Sequence, residues 1–399
     1  MIRRAAGFEA ADGRLEAGLA AKSRKGGTFM GKGTAQEVVL GFDLGGTRIK
    51  MGLVERSGRV HAFRSVPTGS AEGREHLLAT LRQACAAAET EAAGHGLRLI
   101  GVGIGTAGFV DAEGRVAYAT ENLPGWTGTE LRRELEAASG LPAAALNDVH
   151  AMALGEAWLG APASLGLQNF VCVALGTGIG GCLIQGGAVF GGRDGHAGGF
   201  GHQIVMQDGG IPCGCGLSGC WESYASVNAL KRLIAERMPG GFPADAARSG
   251  GADAPEAVSD GARAEDVDSG SGSPLPIDAR PTDTPGSLGG IADVSDAYDP
   301  RRLFAAARAG HPAALKIVDE YASRVAVGLV NLVHTLNAGD FVIGGAIAAQ
   351  GEFLLSRIAE HTERRIMPVY RGAGIRLHAA SLGEQAGVVG AACALLRRV

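Results

Sequence analysis

Residues 38–54 read VVLGFDLGGTRIKMGLV, which is an apolar strand, a glycine-rich turn and a second strand that runs back. Residues 170–184, FVCVALGTGIGGCLI, repeat the arrangement. In both stretches a threonine stands among the glycines of the turn. The chain therefore contains a faint internal duplication, in which two predicted hairpins carry chemically similar turns.

The composition of these turns suits the binding of phosphate. In Asp43-Leu44-Gly45-Gly46-Thr47 the glycines let the backbone approach a phosphate, Thr47 adds a hydroxyl, and Asp43 is a hard oxygen ligand suited to Mg²⁺. An ordinary hairpin turn would explain this pentapeptide alone. The second turn, Gly176-Thr177-Gly178, favours a clamp on the phosphates of a nucleotide, and Gly344-Gly345 would admit its adenosine end. The first turn returns into a strand and lacks Gly-Lys-Ser/Thr, so it is neither a Rossmann fingerprint nor a Walker A loop.

Short apolar runs alternate with helical periodicity along most of the chain. Strands are predicted at 38–42, 48–54, 59–66, 99–105, 143–146, 170–175, 179–184 and 341–343. Helices are predicted at 72–93, 149–159 and 315–336, the last from apolar residues that step by three and four. This alternation is typical of an α/β protein in which helices cover mixed sheets.

The composition excludes several classes of function. Of the 399 residues, 46% are hydrophobic and 20% charged, which is ordinary globular usage, and the net charge is −4. The net charge of the whole chain does not indicate a nucleic acid or an anionic membrane as partner. No run approaches the roughly 20 apolar residues of a membrane span, and the N-terminus lacks the apolar segment of a secretory signal. We therefore expect a cytoplasmic protein.

Two segments lack the periodicity of packed elements. Residues 1–36 are predicted to form a disordered tail. Residues 239–297 are rich in Ala, Asp, Gly, Ser and Pro and are predicted to be a disordered acidic insertion between two helices. Positions 241–297 hold 11 acidic and 3 basic residues, whereas the remainder holds 30 acidic and 34 basic ones. The acidity of the chain therefore resides in the insertion.

Asn147-Asp148 follows a predicted strand and begins a predicted helix. In α/β enzymes the carboxyl end of a strand is where functional side chains gather. Asp148 is therefore a candidate catalytic base. The alternative is that the pair only caps the helix, since Asn and Asp are preferred at that position.

Three cysteines fall within eight residues, at Cys213, Cys215 and Cys220, and His202 precedes them. Three thiolates and one imidazole complete the tetrahedral ligand set of a structural Zn²⁺. Unrelated buried cysteines are the alternative. A disulfide is disfavoured by a reducing compartment. Glu222 follows the last thiol, where a solvated carboxylate at a helix start is its simplest interpretation.

Seven motifs now carry a family resemblance. They are DLGGT, ENLPGW at 121–126, LNDVHA at 146–151, LGTGIGG, GHAGGFGH at 195–202, CGCGLSGC and VIGGAI. In order and spacing they resemble the ROK family, which groups bacterial sugar kinases with sugar-responsive repressors, over about residues 37–238 and 298–399. The resemblance implies a two-domain actin-like ATPase (ribonuclease H-like) fold, α/β in class, with an interdomain cleft. It implies an N-terminal domain at 37–148, to which the C-terminal helix at 385–399 returns, and a C-terminal domain with the zinc motif at 149–384.

The resemblance also implies roles. Asp148 is the base that takes the proton from the attacking sugar hydroxyl. The sugar-binding residues are Asn122, Asn147, His202 and Glu222, and His202 also links the zinc to the sugar pocket. The nucleotide-binding positions are Asp43, Gly45, Gly46, Thr47, Gly176, Thr177, Gly178, Gly344 and Gly345. The implied cofactors are ATP, Mg²⁺ and structural Zn²⁺, and the implied assembly is a homodimer or homotetramer.

One position departs from the family pattern. Most family kinases have a sugar-binding Glu where this chain has Gly199, and some N-acetylmannosamine kinases also lack it. We therefore expect a glucokinase-like, ATP-dependent hexose kinase, with an N-acetylmannosamine or N-acetylglucosamine kinase as the alternative. A sugar-responsive regulator is a further alternative, although the 37 residues before Val38 show no helix-turn-helix pattern.

Overall fold

A computed structural model describes residues 35–120, 122–242, 298–372 and 374–399. The predicted tail lies outside these residues except for its last two positions, and so does the predicted insertion from residue 243 onward. The strands are β1 Gln36–Leu44, β2 Arg48–Glu55, β3 Val60–Pro67, β4 Leu97–Thr106, β5 Phe109–Val110, β6 Val116–Tyr118, β7 Ala143–Asn147, β8 Phe170–Leu175, β9 Ile179–Gln185, β10 Ala188–Val189, β11 Asp340–Gly344 and β12 Arg376–Ala379. The α-helices are α1 Arg74–Gly94, α2 Leu131–Ser139, α3 Asp148–Leu159, α4 Ala161–Ser164, α5 Glu222–Ala225, α6 Val227–Arg237, α7 Pro300–Arg308, α8 Pro312–Leu336, α9 Glu352–Glu363, α10 Pro368–Arg371 and α11 Ala386–Leu396.

Two five-stranded sheets repeat one topology. The first sheet has the order β3-β2-β1-β4-β7 and the second the order β10-β9-β8-β11-β12. In each, three consecutive antiparallel strands are followed by two parallel ones. The faint duplication in the sequence is thus the start of each sheet, and the predicted α/β class, strands and helices are confirmed.

Each sheet has its own apolar core. The run that precedes the first turn is fully buried in β1 and packs with residues of α1 and α2. In the second half, one apolar side of α8 packs against β8 and β11 together with α6, α7 and α9. The three-and-four spacing in α8 therefore corresponds to a buried stripe. In the described part of the chain, no helix is both long and apolar enough to cross a membrane.

Helices α3 and α11 pack between the two cores at unusually close range. A Cβ on Gly390 would lie 1.6 Å from the carbonyl oxygen of Ala151, and one on Gly155 would lie 2.4 Å from that of Ala386. No side chain fits between the helices at these points, because real Cβ atoms do not approach other atoms so closely. Glycine on both helices therefore fixes their separation.

The same pair of helices contacts both sheets. Helix α11 lies on the first sheet, where a Cβ on Gly41 would be 2.3 Å from the carbonyl oxygen of Val388. Helix α3 contacts the first sheet at Gly105 and the second at Gly180, where an added Cβ would meet Val149 at 2.4 Å. Because α3 packs on both sides, the predicted domain limits at residues 148 and 149 stay a prediction.

We expect Gly390→Ala to destabilise the fold strongly. The added methyl group has no space against Ala151, so the helices must separate, and the free energy of unfolding should fall by about 3 kcal/mol. Urea unfolding measures this change. Gly94→Ala, at the exposed end of α1 with no atom near the added methyl group, is the control and should stay within about 1 kcal/mol of wild type. A Gly390→Ala variant as stable as the control would contradict the close-packing argument.

Candidate functional site

A cavity of about 330 Å³ lies where the two halves meet. Its walls come from the segment after β4, the start of α3, the turn between β8 and β9, and the loop that precedes the cysteines. Of the residues predicted from the sequence, the cavity brings together Asn122, Asn147, Asp148, Gly176, Thr177, Gly178, His202 and Glu222. Gly199 is also in its wall. The remaining predicted residues are not in its wall; they are Asp43, Gly45, Gly46, Thr47, Gly344, Gly345, Cys213, Cys215 and Cys220.

Asp148 stands at the first position of α3, and Asn147 is the cap. The Asn147 side-chain oxygen accepts hydrogen bonds from the backbone N–H groups of Val149 and His150, at 2.9 and 3.1 Å. Asp148 Oδ1 accepts from the Val149 N–H and from Asn147 Nδ2, both at 2.9 Å. No other described residue donates a hydrogen bond to Asp148 Oδ2. Capping therefore occupies Asn147 and leaves one carboxylate oxygen of Asp148 free.

The surroundings of Asp148 raise its pKa above the ordinary value for an aspartate. Burial raises the pKa of Asp148 to about 6, and the negative charge of Asp43 contributes to the rise. The hydrogen bonds from Val149 and Asn147 oppose it. A carboxylate with a pKa near 6 is a stronger base than an ordinary aspartate and is still ionised at neutral pH.

The first glycine turn borders the cavity beside Asn122. Asp43 is the last residue but one of β1, and its carboxylate lies 3.7 Å from Lys50 Nζ on β2. Burial raises the pKa of Asp43 although Lys50 opposes the rise. A Cβ on Gly46 would lie 3.8 Å from the Cβ of Asn122, and Thr47 is exposed. The turn thus presents backbone and hydroxyl groups next to the cavity.

The other two glycine segments meet each other at the far side. Gly345 has φ of +86°, and a Cβ there would lie 2.4 Å from the carbonyl oxygen of Leu175, directly before the second turn. A Cβ on Gly344 would meet Met152 of α3 at 2.7 Å. A Cβ on Gly178 would lie 2.6 Å from Glu222 Oε2. The backbone contact and the positive φ therefore require glycine at 345, whereas at 344 and 178 an added methyl group would meet the movable ends of flexible side chains.

The predicted metal ligands form one cluster. The ligand atoms of His202, Cys213, Cys215 and Cys220 all lie within 4.8 Å of one another. His202 Nδ1 is 3.7 Å from Cys213 Sγ, and Cys215 Sγ is 3.7 Å from Cys220 Sγ. A zinc–sulfur bond of about 2.3 Å places two tetrahedral ligand atoms about 3.8 Å apart. The donor set and its spacing therefore fit Zn²⁺.

Glu222 links this cluster to the cavity. Its Oε1 accepts a hydrogen bond from the Cys213 thiol at 3.0 Å, and its Oε2 accepts one from the Ile179 N–H at 3.1 Å. It begins α5, and it also lines the cavity. Hydrogen bonds to the cysteine segment and to the second turn therefore fix the position of Glu222. It is not simply a solvated carboxylate at a helix start.

Two cavity residues were missed from the sequence. Phe109 follows β4, and its ring contacts those of His196 and His202 at centroid distances of 5.9 and 6.5 Å. His150 is buried, and its Nε2 lies 2.8 Å from the carbonyl oxygen of Ala197, so it ties α3 to the loop before the cysteines. The local sequence signal for Phe109 is the glycine-containing end of the strand 99–105, which precedes it.

Comparison with known proteins agrees with this arrangement. The family model described as "ROK family" matches residues 39–398. The chain belongs to the ROK family. The glucokinase of Halalkalibacterium halodurans is 31% identical over 88% of this chain and 92% of its own length. The N-acetyl-D-glucosamine kinase of Vibrio vulnificus is 36% identical over 49% of this chain and 65% of its own length.

A solved structure gives the same fold. The ROK family glucokinase from Streptomyces griseus, in complex with glucose and AMPPNP, is 31% identical, with a TM-score of 0.67 over 89% of this chain and 98% of its own. The predicted membership in the ROK family and the two-domain actin-like ATPase fold are therefore confirmed. The paired sheets with one topology are the two halves of that fold.

Proposed function

We propose that this ROK family member is an ATP-dependent sugar kinase that phosphorylates a hydroxyl of a hexose, with Asp148 as the general base. The observation that carries the proposal is the free Oδ2 of Asp148 at a cavity whose wall also holds His202 and Glu222. Similarity over nearly the full length to glucokinases supports the substrate class.

The chain's residues supply position and charge. Asp148 Oδ2 accepts the proton of the attacking sugar hydroxyl while the hydroxyl oxygen bonds to the terminal phosphorus of ATP. The bond from that phosphorus to the bridging oxygen breaks at the same time, and ADP leaves with the electron pair. The Gly45-Gly46-Thr47 and Gly176-Thr177-Gly178 turns hold the phosphates with backbone N–H and hydroxyl groups. Asp43 would hold Mg²⁺, which neutralises phosphate charge when bound. The positive charge of a bound Mg²⁺ would also reduce the repulsion between Asp43 and Asp148.

Four residues are proposed to bind the sugar. Glu222 and His202 line the cavity, and Asn122 is exposed beside the first turn. Each Glu222 oxygen already accepts one hydrogen bond. Asn147 is more fully engaged, because its amide donates to Gly108 O and to Asp148 and its oxygen caps α3. Any contact of Asn147 with the sugar must share these bonds, and its main effect is to orient Asp148.

Glucose is the proposed substrate, and N-acetylmannosamine or N-acetylglucosamine is the second candidate. The match to an N-acetyl-D-glucosamine kinase favours keeping that candidate, although it spans about half of this chain. A sugar-responsive regulator would need none of the catalytic arrangement around Asp148. The proposed homodimer or homotetramer and the cytoplasmic location stay predictions from the sequence.

The decisive experiment measures ADP release with glucose, mannose and N-acetylated hexosamines. We expect sugar-dependent release in the wild type and a loss of several orders of magnitude in Asp148→Asn, because the amide cannot accept the proton. Sugar and nucleotide affinities should change little. Asp111→Asn, on the exposed turn between β5 and β6, is the control and should retain activity. Near-normal turnover in Asp148→Asn would remove Asp148 from the base role, and sugar-independent background throughout would favour the regulator.

The pH dependence should report the raised pKa of Asp148. Below about pH 6 the carboxyl is protonated and cannot act as a base, so kcat/KM should fall about tenfold per pH unit and should level off above that pKa. Asp43→Asn removes a neighbouring negative charge and should move the midpoint to lower pH. Steady-state kinetics across the pH range tests both statements. An unshifted midpoint in Asp43→Asn would contradict the proposed interaction.

We also propose that His202, Cys213, Cys215 and Cys220 hold one structural Zn²⁺. Their spacing supports the metal, and the segment between β10 and α5 has little regular secondary structure of its own. The ion would fix this segment and thereby orient His202 and Glu222 toward the sugar. It takes no part in the transfer step.

We expect one zinc per chain by elemental analysis and a loss of zinc in Cys215→Ser. Sugar affinity should fall before nucleotide affinity when the metal is removed, because His202 and Glu222 are on the sugar side. Calorimetric titration with each ligand measures the order of loss. Cys85→Ala, on the buried side of α1, is the control that should keep its zinc. A zinc-free enzyme with full activity would refute the proposal.

Gly199→Glu tests the departure from the family pattern. The backbone tolerates this change, because Gly199 has φ of −68° and an added Cβ would meet only the Phe109 ring, at 3.4 Å. If the glutamate reaches a sugar hydroxyl, KM for glucose should fall by about tenfold, the effect of one charged hydrogen bond. KM for N-acetylated sugars should change less. An unchanged preference in a variant that keeps its zinc would show that position 199 does not set sugar choice.

A further inference from the structure

Glu156 is a fully buried carboxylate that the proposed reaction does not use. It lies on α3, two turns after Asp148. Its Oε1 accepts hydrogen bonds from the backbone N–H groups of Ser381 and Leu382, both at 2.8 Å. Its Oε2 accepts from the Ser381 hydroxyl and from the Ala161 N–H, both at 3.2 Å. Within the described parts of the chain it forms no ion pair.

A buried charge without a cation is stable only where donors surround it. Glu156 has four, and two of them are N–H groups just ahead of the turn that leads into α11. Hydrogen bonds to a charged acceptor are stronger than those between neutral groups. The carboxylate therefore clamps the segment 380–382 to the helix that begins with Asp148.

That segment adjoins the proposed nucleotide side of the cleft. The Ala380 N–H donates to the carbonyl oxygen of Ile343 at 2.9 Å, one residue before Gly344-Gly345. A Cβ on Gly344 would lie 3.6 Å from the Cβ of Ala380 and 2.7 Å from Met152 of α3. The glycine pair is thus held between α3 and the segment that Glu156 binds.

We propose that Glu156 is a positioning residue for the nucleotide half of the site. It sets the distance between the helix that carries Asp148 and the Gly344-Gly345 turn through segment 380–382. This inference rests on the proposed function in taking Gly344-Gly345 as part of a nucleotide site. Glu156 touches neither substrate nor cofactor, so its effect is transmitted through the Ser381 and Leu382 N–H groups.

The test separates this role from a contribution to stability alone. Glu156→Gln keeps the size of the side chain but places an NH₂ group against N–H donors, so segment 380–382 must shift. The matched control is Asp340→Asn, a buried carboxylate at the opposite end of the strand that leads to Gly344, where it binds Arg376 and His378. Both variants should lower the melting temperature.

The readout is the affinity for AMPPNP and for glucose, measured by calorimetry well below both melting temperatures. We expect AMPPNP affinity to fall about tenfold in Glu156→Gln, glucose affinity to stay within twofold, and both affinities to be unchanged in Asp340→Asn. Equal losses for the two ligands, no loss of AMPPNP affinity, or the same loss in Asp340→Asn would overturn the proposal.

Ser381→Ala covers the case in which Glu156→Gln does not fold. It removes only the hydroxyl bond to Oε2 and should weaken AMPPNP binding about threefold with glucose binding unchanged. No change in AMPPNP binding would then overturn the proposal. These affinity measurements need no turnover. A wild type that binds AMPPNP but phosphorylates no sugar would therefore refute the proposed kinase activity, and the test of Glu156 would still be valid. A wild type that binds no AMPPNP would refute both.

Discussion

The site depends on the close approach of α11 to its neighbours. Where α11 meets α3 and the first sheet, glycines stand on both sides and backbone atoms pack against backbone. Gly387 of α11 even abuts Asp43, so that a Cβ would lie 2.6 Å from its Cγ. Two acidic groups from elements far apart in sequence, Asp43 and Asp148, are thereby held close enough to interact.

The proximity of Asp43 and Asp148 is electrostatically unfavourable. Burial raises the pKa of both carboxyls, and each negative charge makes the other less favourable. Lys50 and the helix cap at Asn147 offset part of the repulsion. Burying these charges costs free energy, and favourable packing elsewhere in the fold must offset that cost. The close crossing of α3 and α11 contributes such packing.

Much of the fold was readable from the sequence because its signals are local. Apolar runs ending in glycine became the strands of both sheets, and the cysteine spacing located three members of the metal cluster. What could not be read was contact between distant segments. Nothing near Glu156 indicates that its partners are Ser381 and Leu382, and Gly390 has no local reason to be glycine. Phe109 was passed over because one aromatic residue after a strand carries no chemical signature.

The repeated topology has a consequence for the direction of a ligand in the cleft. Two equivalent hairpin turns would by themselves accept a phosphate chain in either orientation. The turns are not equivalent, since Asp43 in the first strand has Ala174 as its counterpart in the second. Because only the first of the two repeated strands carries an aspartate before its turn, the duplicated architecture has polarity. A divalent cation bound by that aspartate would favour one of the two orientations of a bound nucleotide.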